Sequence, residues 1–114
     1  MSDRYDLQID TGSDTTYIFS LVDRKGNTID TTGYAARMQI RPYVHSEIVY
    51  DELTTSNGRL EFIDGCKLKV TMTNEATDAY KFDKALYDIE VIDPNGKVTR
   101  IVEGRVIARH GVTR

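Results

Sequence analysis

The sequence lacks the residues from which small proteins build cross-links. Its 114 residues include one cysteine, Cys66, and two histidines, His45 and His110. A single cysteine cannot form an internal disulfide, and neither histidine has a cysteine or a second histidine at the spacing of a zinc site. The sequence therefore predicts no disulfide and no metal, and a chain of this length can bury a core without either.

Long apolar runs and a dominant charge sign are also missing. No stretch approaches the ~18 apolar residues of a membrane span, and the start MSDRYDLQID has neither the basic nor the apolar part of a secretory signal. The formal net charge is -3, and lysines and arginines stand singly among carboxylates. We therefore expect neither a membrane nor a nucleic acid as partner, and synthesis in a cytosol-like compartment.

Motifs of catalysis and nucleotide binding are absent as well. No G-x-S-x-G turn occurs, and the eight glycines stand singly, without the pattern of a phosphate-binding loop. Asp10 and Asp14, or Asp30 and Asp93, could converge in loops, but they lack calcium-loop spacing, and we interpret them as solvated turn residues. A chain this small leaves little room for a substrate cleft. We expect no enzyme activity and no cofactor.

What is present is a repeated alternation of apolar and polar side chains, which is typical of half-buried strands. It organises the closing segment, where two alternating runs flank the turn sequence Asp93-Pro94-Asn95-Gly96 and predict a hairpin with one buried face. The residues predicted to lie on that face are Tyr87, Ile89, Val91, Val98, Val102 and Val106.

The same alternation predicts strands within residues 5–10, 15–23, 34–41, 47–55, 59–64 and 66–73. Residues 15–23 are apolar on both faces for part of their length, which predicts a central strand. In residues 47–55 the buried face is either Ile48 and Tyr50 or Val49 and Leu53. Asn57-Gly58 predicts a hairpin turn. Asn74 is the expected N-cap of a short helical link that ends at Tyr80.

Seven or eight short strands with turns between them and one small helix predict a single domain over residues 1–114. The expected architecture is an all-β, antiparallel sandwich of two sheets, and a closed barrel is the alternative. A parallel α/β fold is not expected, because no helix is long enough for a crossover. The polar N-terminal arm, residues 1–6, and the tail, residues 110–114, are expected to order against partners.

Tyrosine is the abundant aromatic residue, with seven copies and no tryptophan. Tyr17 and Tyr87 stand at core positions of the alternation, so we expect them to be buried with the hydroxyl at the rim. Tyr43 and Tyr50 lie near Pro42, where a core position and a contact with a partner are equally compatible with the pattern.

Four segments in order resemble a family of small structural domains of tailed bacteriophages: TGYAARMQIRP, ELTTSNGRLEF, KLKVTMTNEATDAY and ALYDIEVIDPNGKVTRIVEGRVIARHGVTR. The family has a tGYtArmqiR strand, an ElTtenGri hairpin, a helical link and a YDlev..pdGtvtrlleGtvtv...vTr ending. The resemblance covers most of the chain and extends to the N-terminal domain of phage baseplate upper proteins. One departure is Phe82-Asp83-Lys84, where the family often has glycine.

The resemblance implies an immunoglobulin-like sandwich and a non-catalytic role in the virion. The implied place is the tail or baseplate, with a capsid decoration or neck protein as a variant, and the implied partners are other virion structural proteins in a symmetric assembly of several copies. A carbohydrate- or receptor-binding module is the alternative. The residues expected to contact partners are Tyr5, Tyr43, Tyr50, His110, Val112 and Arg114.

Overall fold

The computed structural model describes residues 3–22 and 25–112, and there the chain forms nine strands and one short helix. The strands are β1 Asp3–Arg4, β2 Leu7–Asp10, β3 Thr15–Ser20, β4 Ala35–Arg41, β5 Asp51–Thr54, β6 Leu60–Ile63, β7 Lys67–Met72, β8 Lys84–Ile92 and β9 Val98–Arg109, and the helix α1 is Asn74–Asp78. Strands β1 and β2 are two parts of one N-terminal segment, so the number of strands agrees with the prediction. None of the helical structure in the described ranges could span a membrane.

The strands form two sheets with the order of an immunoglobulin-like sandwich. In that fold strands A, B, E and D make one sheet and C, F and G make the other. Here the smaller sheet has the order β3-β7-β6, which corresponds to B, E and D. The larger sheet has β9, β8 and β4 in the positions of G, F and C, followed by β5. The predicted fold class is therefore confirmed.

The pairing of the N-terminal segment leaves one side of β3 without a partner strand among the described residues. Strands β1 and β2 both pair in parallel with β9, so the larger sheet is mixed and not antiparallel throughout. Strand β3 pairs only with β7 among the described strands, and the position of strand A beside β3 is empty. This arrangement also corrects one expectation, because Asp3 and Arg4 of the predicted free arm are paired with Val102 and Glu103 of β9.

The core lies between the sheets and follows the predicted alternation. Side chains from both sheets are fully buried there, because each strand turns every second residue inward. In β5 the inward residue is Leu53, which decides between the two faces left open by the sequence. The largest fully buried apolar side chains are Leu7, Ile9, Met38, Ile40, Leu53, Leu60, Leu68, Val70, Met72, Ile89 and Val106.

Two sequence expectations about strands are wrong. Strand β3 is an edge strand and not a central one, because it pairs with β7 alone among the described strands, and its outward residue Ile18 is 55% exposed. In β9 the alternation is interrupted by a bulge, since Ile89 is opposite Val102 whereas Glu90 is opposite Arg100. The extra residue reverses the faces, so Val98 points outward while Val102 and Val106 are buried.

One turn and the helical link also differ from the prediction. Asn57-Gly58 makes a turn, but the strands on its two sides belong to different sheets, since β5 pairs with β4 and β6 pairs with β7. The N-cap of α1 is Thr73 and not the predicted Asn74, because the Thr73 hydroxyl accepts a hydrogen bond from the Ala76 amide at 3.3 Å, and the helix ends at Asp78 and not at Tyr80. Both differences concern connections between strands. At the turn, the local pattern does not specify which strand the next segment pairs with.

Candidate binding surfaces

The loop between β4 and β5 presents apolar side chains to solvent. Five of the ten exposed large hydrophobic residues in the described part of the chain lie in it. We call these five residues the loop surface: Tyr43, Val44, Ile48, Val49 and Tyr50. Single exposed apolar residues are ordinary, but several adjacent ones are typical of a contact surface.

The loop is held from beneath by polar contacts. Ser46 is its one buried residue, and its hydroxyl accepts a hydrogen bond from the Ile48 amide at 3.0 Å. The guanidinium of Arg41 donates to the Ser46 carbonyl and to the side chain of Gln39. The Tyr50 amide donates to the Ile40 carbonyl at 2.7 Å. The apolar side chains therefore stand on a fixed backbone, which lowers the entropy that binding would cost.

Tyr50 of the loop surface is fixed by a row of aromatic rings. Its ring stacks on Phe82 with centroids 4.7 Å apart and planes 11° apart, and Phe82 in turn lies 5.1 Å from the ring of Tyr80. A shallow hollow of about 330 Å³ lies along this row. One face of Tyr50 is thus covered by Phe82, and 42% of the residue remains exposed.

A charged pair anchors the buried end of the row. Asp51 accepts two hydrogen bonds of 2.7 Å from Arg59 and one of 2.5 Å from the Tyr80 hydroxyl. Burial acts to raise the pKa of Asp51, but the hydrogen bonds from Arg59 and Tyr80 outweigh it and hold the pKa below its ordinary value. Burial, together with the Asp51 carboxylate, raises the pKa of the Tyr80 phenol. The row is therefore a rigid support, because its polar ends are paired.

Three of the residues expected to contact partners come together here. Tyr43 and Tyr50 both belong to the loop surface, and Tyr43 is 62% exposed. His110 is close by, but its ring bonds to the Phe82 carbonyl at 3.0 Å and lies 3.2 Å from Asp83. His110 therefore belongs to the chain's own structure. Val112 is fully open to solvent.

The remaining expected contact residues lie elsewhere. Tyr5 lies at the opposite edge of the larger sheet, where its amide donates to the Glu103 carbonyl of β9, and Arg114 lies outside the described residues, as do Met1 and Ser2 of the arm. The prediction from the sequence did not include Val44, Ile48, Val49 and Phe82 as members or neighbours of the surface. The available signal was the run Ile48-Val49-Tyr50, whose three consecutive apolar residues break the alternation of a half-buried strand.

A second candidate surface is the β3 edge, which we define as residues Thr15–Ser20 on the side away from β7. Strand β3 runs opposite β7 with Ser20 facing Lys67, and the Leu21 amide continues the ladder by donating to the Cys66 carbonyl at 2.8 Å. Because backbone groups alternate sides along a strand, those of Thr16, Ile18 and Ser20 point away from β7. These three residues are exposed, so the edge is open.

An open groove adjoins the β3 edge. It has a volume of about 1070 Å³ and lies between the end of β3 and the β1–β9 pair. Its lining is largely apolar, with Asp3, Arg4 and Lys97 among its polar residues. The ring of Tyr5 stands there edge-on to Phe19, with centroids 5.8 Å apart. The sandwich therefore has an opening between its sheets, which was not predicted from the sequence.

The carboxylates considered as calcium ligands contact their own chain. Asp10 pairs with Arg109 at 3.3 Å, and Asp14 accepts a hydrogen bond from the Asn74 amide at 2.7 Å. Asp30 and Asp93 accept bonds within their own turns. In the ranges 3–22 and 25–112 no group of three or more histidine, cysteine or acidic residues could hold a metal ion.

Comparisons with known proteins add little to this description. No protein-family model matches the chain, and no curated protein matches it. Among solved structures the chain is similar to murine CRIg, with 11% sequence identity, coverage of 93% of this chain and 92% of that chain, and a TM-score of 0.39. A likeness this distant carries no argument, so the fold assignment stands on the strand order alone.

Proposed function

We propose that this protein is a non-catalytic assembly module of a tailed-phage virion, which binds neighbouring structural proteins through its loop surface. The observation that carries the binding role is the placement of five large apolar side chains on one anchored loop. Burying them against a partner removes apolar area from water at roughly 25 cal/mol per Å². The resemblance of the sequence to phage structural domains supports the virion setting, in the tail or baseplate or as a capsid decoration or neck protein.

The loop surface has the composition of an interface centre. Tyrosine contributes a large contact area with few rotatable bonds, and Tyr50 is already held in place by Phe82. The polar residues His45 and Glu47 lie in the same loop and are exposed, so they can form a polar rim around the apolar side chains. In a symmetric particle each copy needs only a modest contact, because many copies act together.

The test is the copy number of the chain in purified particles. We expect Tyr43→Asp combined with Ile48→Asp to lower incorporation about tenfold, since two carboxylates would be desolvated in the contact. Asn95→Asp combined with Val98→Asp is the matched control, because it adds the same two carboxylates at exposed residues outside both the loop and the tail. Quantitative mass spectrometry against a major virion protein gives the number. Absence of the wild-type chain from particles would contradict the virion setting.

Two further outcomes separate the parts of the proposal. Full incorporation of the loop variant would show that another surface makes the contact. Removing residues 111–114 while keeping His110 tests the tail, because His110 supports the chain's own fold through Phe82. Full occupancy of that truncated chain would exclude a part for the tail.

A carbohydrate-binding module is the second candidate, and the exposed ring of Tyr43 is the observation that favours it. Exposed tyrosine rings can stack on sugar faces as well as on protein side chains. A glycan array with the purified chain distinguishes the two functions. Binding to a defined glycan that is lost in Tyr43→Ala would support the carbohydrate module, whereas an assembly protein binds nothing there.

A further inference from the structure

We infer that two copies of this chain pair through their β3 edges, antiparallel, so that the two smaller sheets become one six-stranded sheet. This goes beyond the proposed function, because it concerns a different edge and a different partner. It starts from a conflict between sequence and structure. Strand β3 carries large apolar residues on both faces, with Tyr17 and Phe19 inward and Ile18 outward, yet β3 is an edge strand in the single chain.

The β3 edge also lacks the charged residues, the proline and the bulge that protect many edge strands. The segment TTYIFS has no charge, no proline and no glycine, and it consists largely of β-branched and aromatic residues. Natural proteins place lysine, proline or a bulge at such an edge to prevent further pairing. The absence of protection on an edge with free backbone groups at Thr16, Ile18 and Ser20 indicates that the edge is covered in the working protein.

A second copy fits this edge in one register. With Ile18 opposite Ile18 of the second copy, Thr16 is opposite Ser20 of that copy and Ser20 is opposite its Thr16. Each of these three pairs can exchange two backbone hydrogen bonds, because all three residues point their backbone groups outward. The two Ile18 side chains, each 55% exposed in the single chain, then cover each other on the outer face.

Charge favours self-pairing as well. An uncharged strand meets an identical strand without like charges facing each other, which an edge with charges of one sign could not do. The nearest lysine on the outer face is Lys69, which is opposite Ile18 in β7. Across the paired edges the two Lys69 residues would be three strand spacings apart, about 14 Å, which exceeds the Debye length of ~8 Å at physiological salt.

Pairing would also cover the groove between the sheets. Tyr17 and Phe19 point toward the interior but are only half buried, and Phe19 lines the groove. In the proposed register Tyr17 of the second copy is opposite Phe19, on the same inner face. The added strand therefore shields both rings at the edge where strand A is missing.

The experiment is analytical sedimentation of the purified chain from micromolar to millimolar concentration. It includes two double variants that differ only in the residue introduced at Ser20. Thr16→Lys with Ser20→Lys puts like charges opposite each other twice, and we expect it to raise the dimer dissociation constant at least about tenfold. Thr16→Lys with Ser20→Glu puts opposite charges in the same positions and should keep the dimer near its wild-type strength. Circular dichroism confirms that both variants fold.

Single substitutions place the contact on the edge. Ile18→Lys should weaken the dimer about as much as the like-charge double variant, because its two copies face each other. Val98→Lys is the control, since it adds the same charge at an exposed residue of β9 that belongs neither to the loop surface nor to the β3 edge. A wild-type chain that stays monomeric throughout would overturn the inference. Equal loss in both double variants, or loss in Val98→Lys with none in Ile18→Lys, would overturn it too.

Discussion

A Cβ atom on Gly104 would lie 2.2 Å from the backbone carbonyl oxygen of Tyr5, closer than any carbon can approach. The same carbonyl accepts a hydrogen bond from the Tyr87 hydroxyl, and the Tyr5 amide donates to the Glu103 carbonyl at 2.9 Å. The N-terminal segment therefore passes β9 so closely at Gly104 that there is no space for a side chain. Since Gly104 does not have positive φ, only this contact requires glycine there.

Gly104→Ala should therefore detach the middle of the N-terminal segment. We expect a loss of about 1–3 kcal/mol in the free energy of unfolding, the usual cost of overpacking, measured by urea denaturation. Faster amide exchange at Leu7 and Ile9 should accompany it. Gly58→Ala is the control, because that glycine has positive φ and open space around it, so its cost comes from local backbone strain alone. Equal exchange in both variants would contradict the explanation.

The Tyr80 hydroxyl should contribute to stability through Asp51. Tyr80→Phe removes one hydrogen bond to a carboxylate, and we expect a loss of about 1–2 kcal/mol in the free energy of unfolding. Tyr43→Phe removes the same atom at an exposed position and should change stability by less than ~0.5 kcal/mol. Chemical denaturation of both variants measures the difference. Equal effects would show that the contact with Asp51 is not stabilising.

Acid should weaken the protein partly through Asp51. The pKa of this carboxyl is lowered in the folded chain, so its contribution to stability is present above an unfolded pKa of about 3.9 and is lost as pH falls through the folded value. Asp51→Asn should lower stability at neutral pH and flatten the decline below about pH 4. Urea unfolding across this pH range tests it. A decline as steep as that of the wild type would contradict the role of Asp51.

Asp88→Asn is the control for the acid experiment because its pKa shift has the opposite sign. Burial raises the pKa of Asp88, which outweighs the attraction of Arg100. The folded chain therefore takes up a proton at Asp88 more readily than the unfolded chain, which offsets part of the acid loss. Removing Asp88 should make the decline steeper, whereas removing Asp51 makes it shallower.

Alkali should weaken the protein through Tyr87. Burial raises the pKa of this phenol, so its contribution to stability is fully present below the unfolded pKa of about 10 and is lost as pH rises toward the folded value. Tyr87→Phe should lower stability at neutral pH, because the bond to the Tyr5 carbonyl is gone, and should reduce the decline above about pH 10. Denaturation combined with phenolate absorbance measures both effects. An unchanged alkaline decline would contradict the assignment.

The sequence predicted the fold well wherever a short-range pattern was sufficient. Met38 and Ile40 of β4, and Ile89 of β8, alternate without interruption and are buried as expected. The pattern failed in β9 because a bulge beside Ile101 shifts the register, and no local signal marks the extra residue. It failed at Asn57-Gly58 because turn chemistry specifies a reversal but not which sheet the next strand joins.

The candidate surfaces were predictable only in part. Tyr43 and Tyr50 were recognised from their position after Pro42, which ends β4, but their neighbours Ile48 and Val49 were assigned to a strand that begins later, at Asp51. The open β3 edge was hidden for a different reason. Whether a strand is central or at an edge depends on where the N-terminal segment pairs, and that segment pairs with β9, about one hundred residues away in the sequence.

The parallel pairing of β2 with β9 has a mechanical consequence. A force that pulls the beginning of β2 away from the end of β9 acts along the two strands in opposite directions. The hydrogen bonds between Leu7–Asp10 and the facing residues 106–109 are then loaded in shear and must break together. An antiparallel edge pulled from one end would instead unzip bond by bond. The strand pair thus acts as a clamp against stretching force applied through the two ends of the chain.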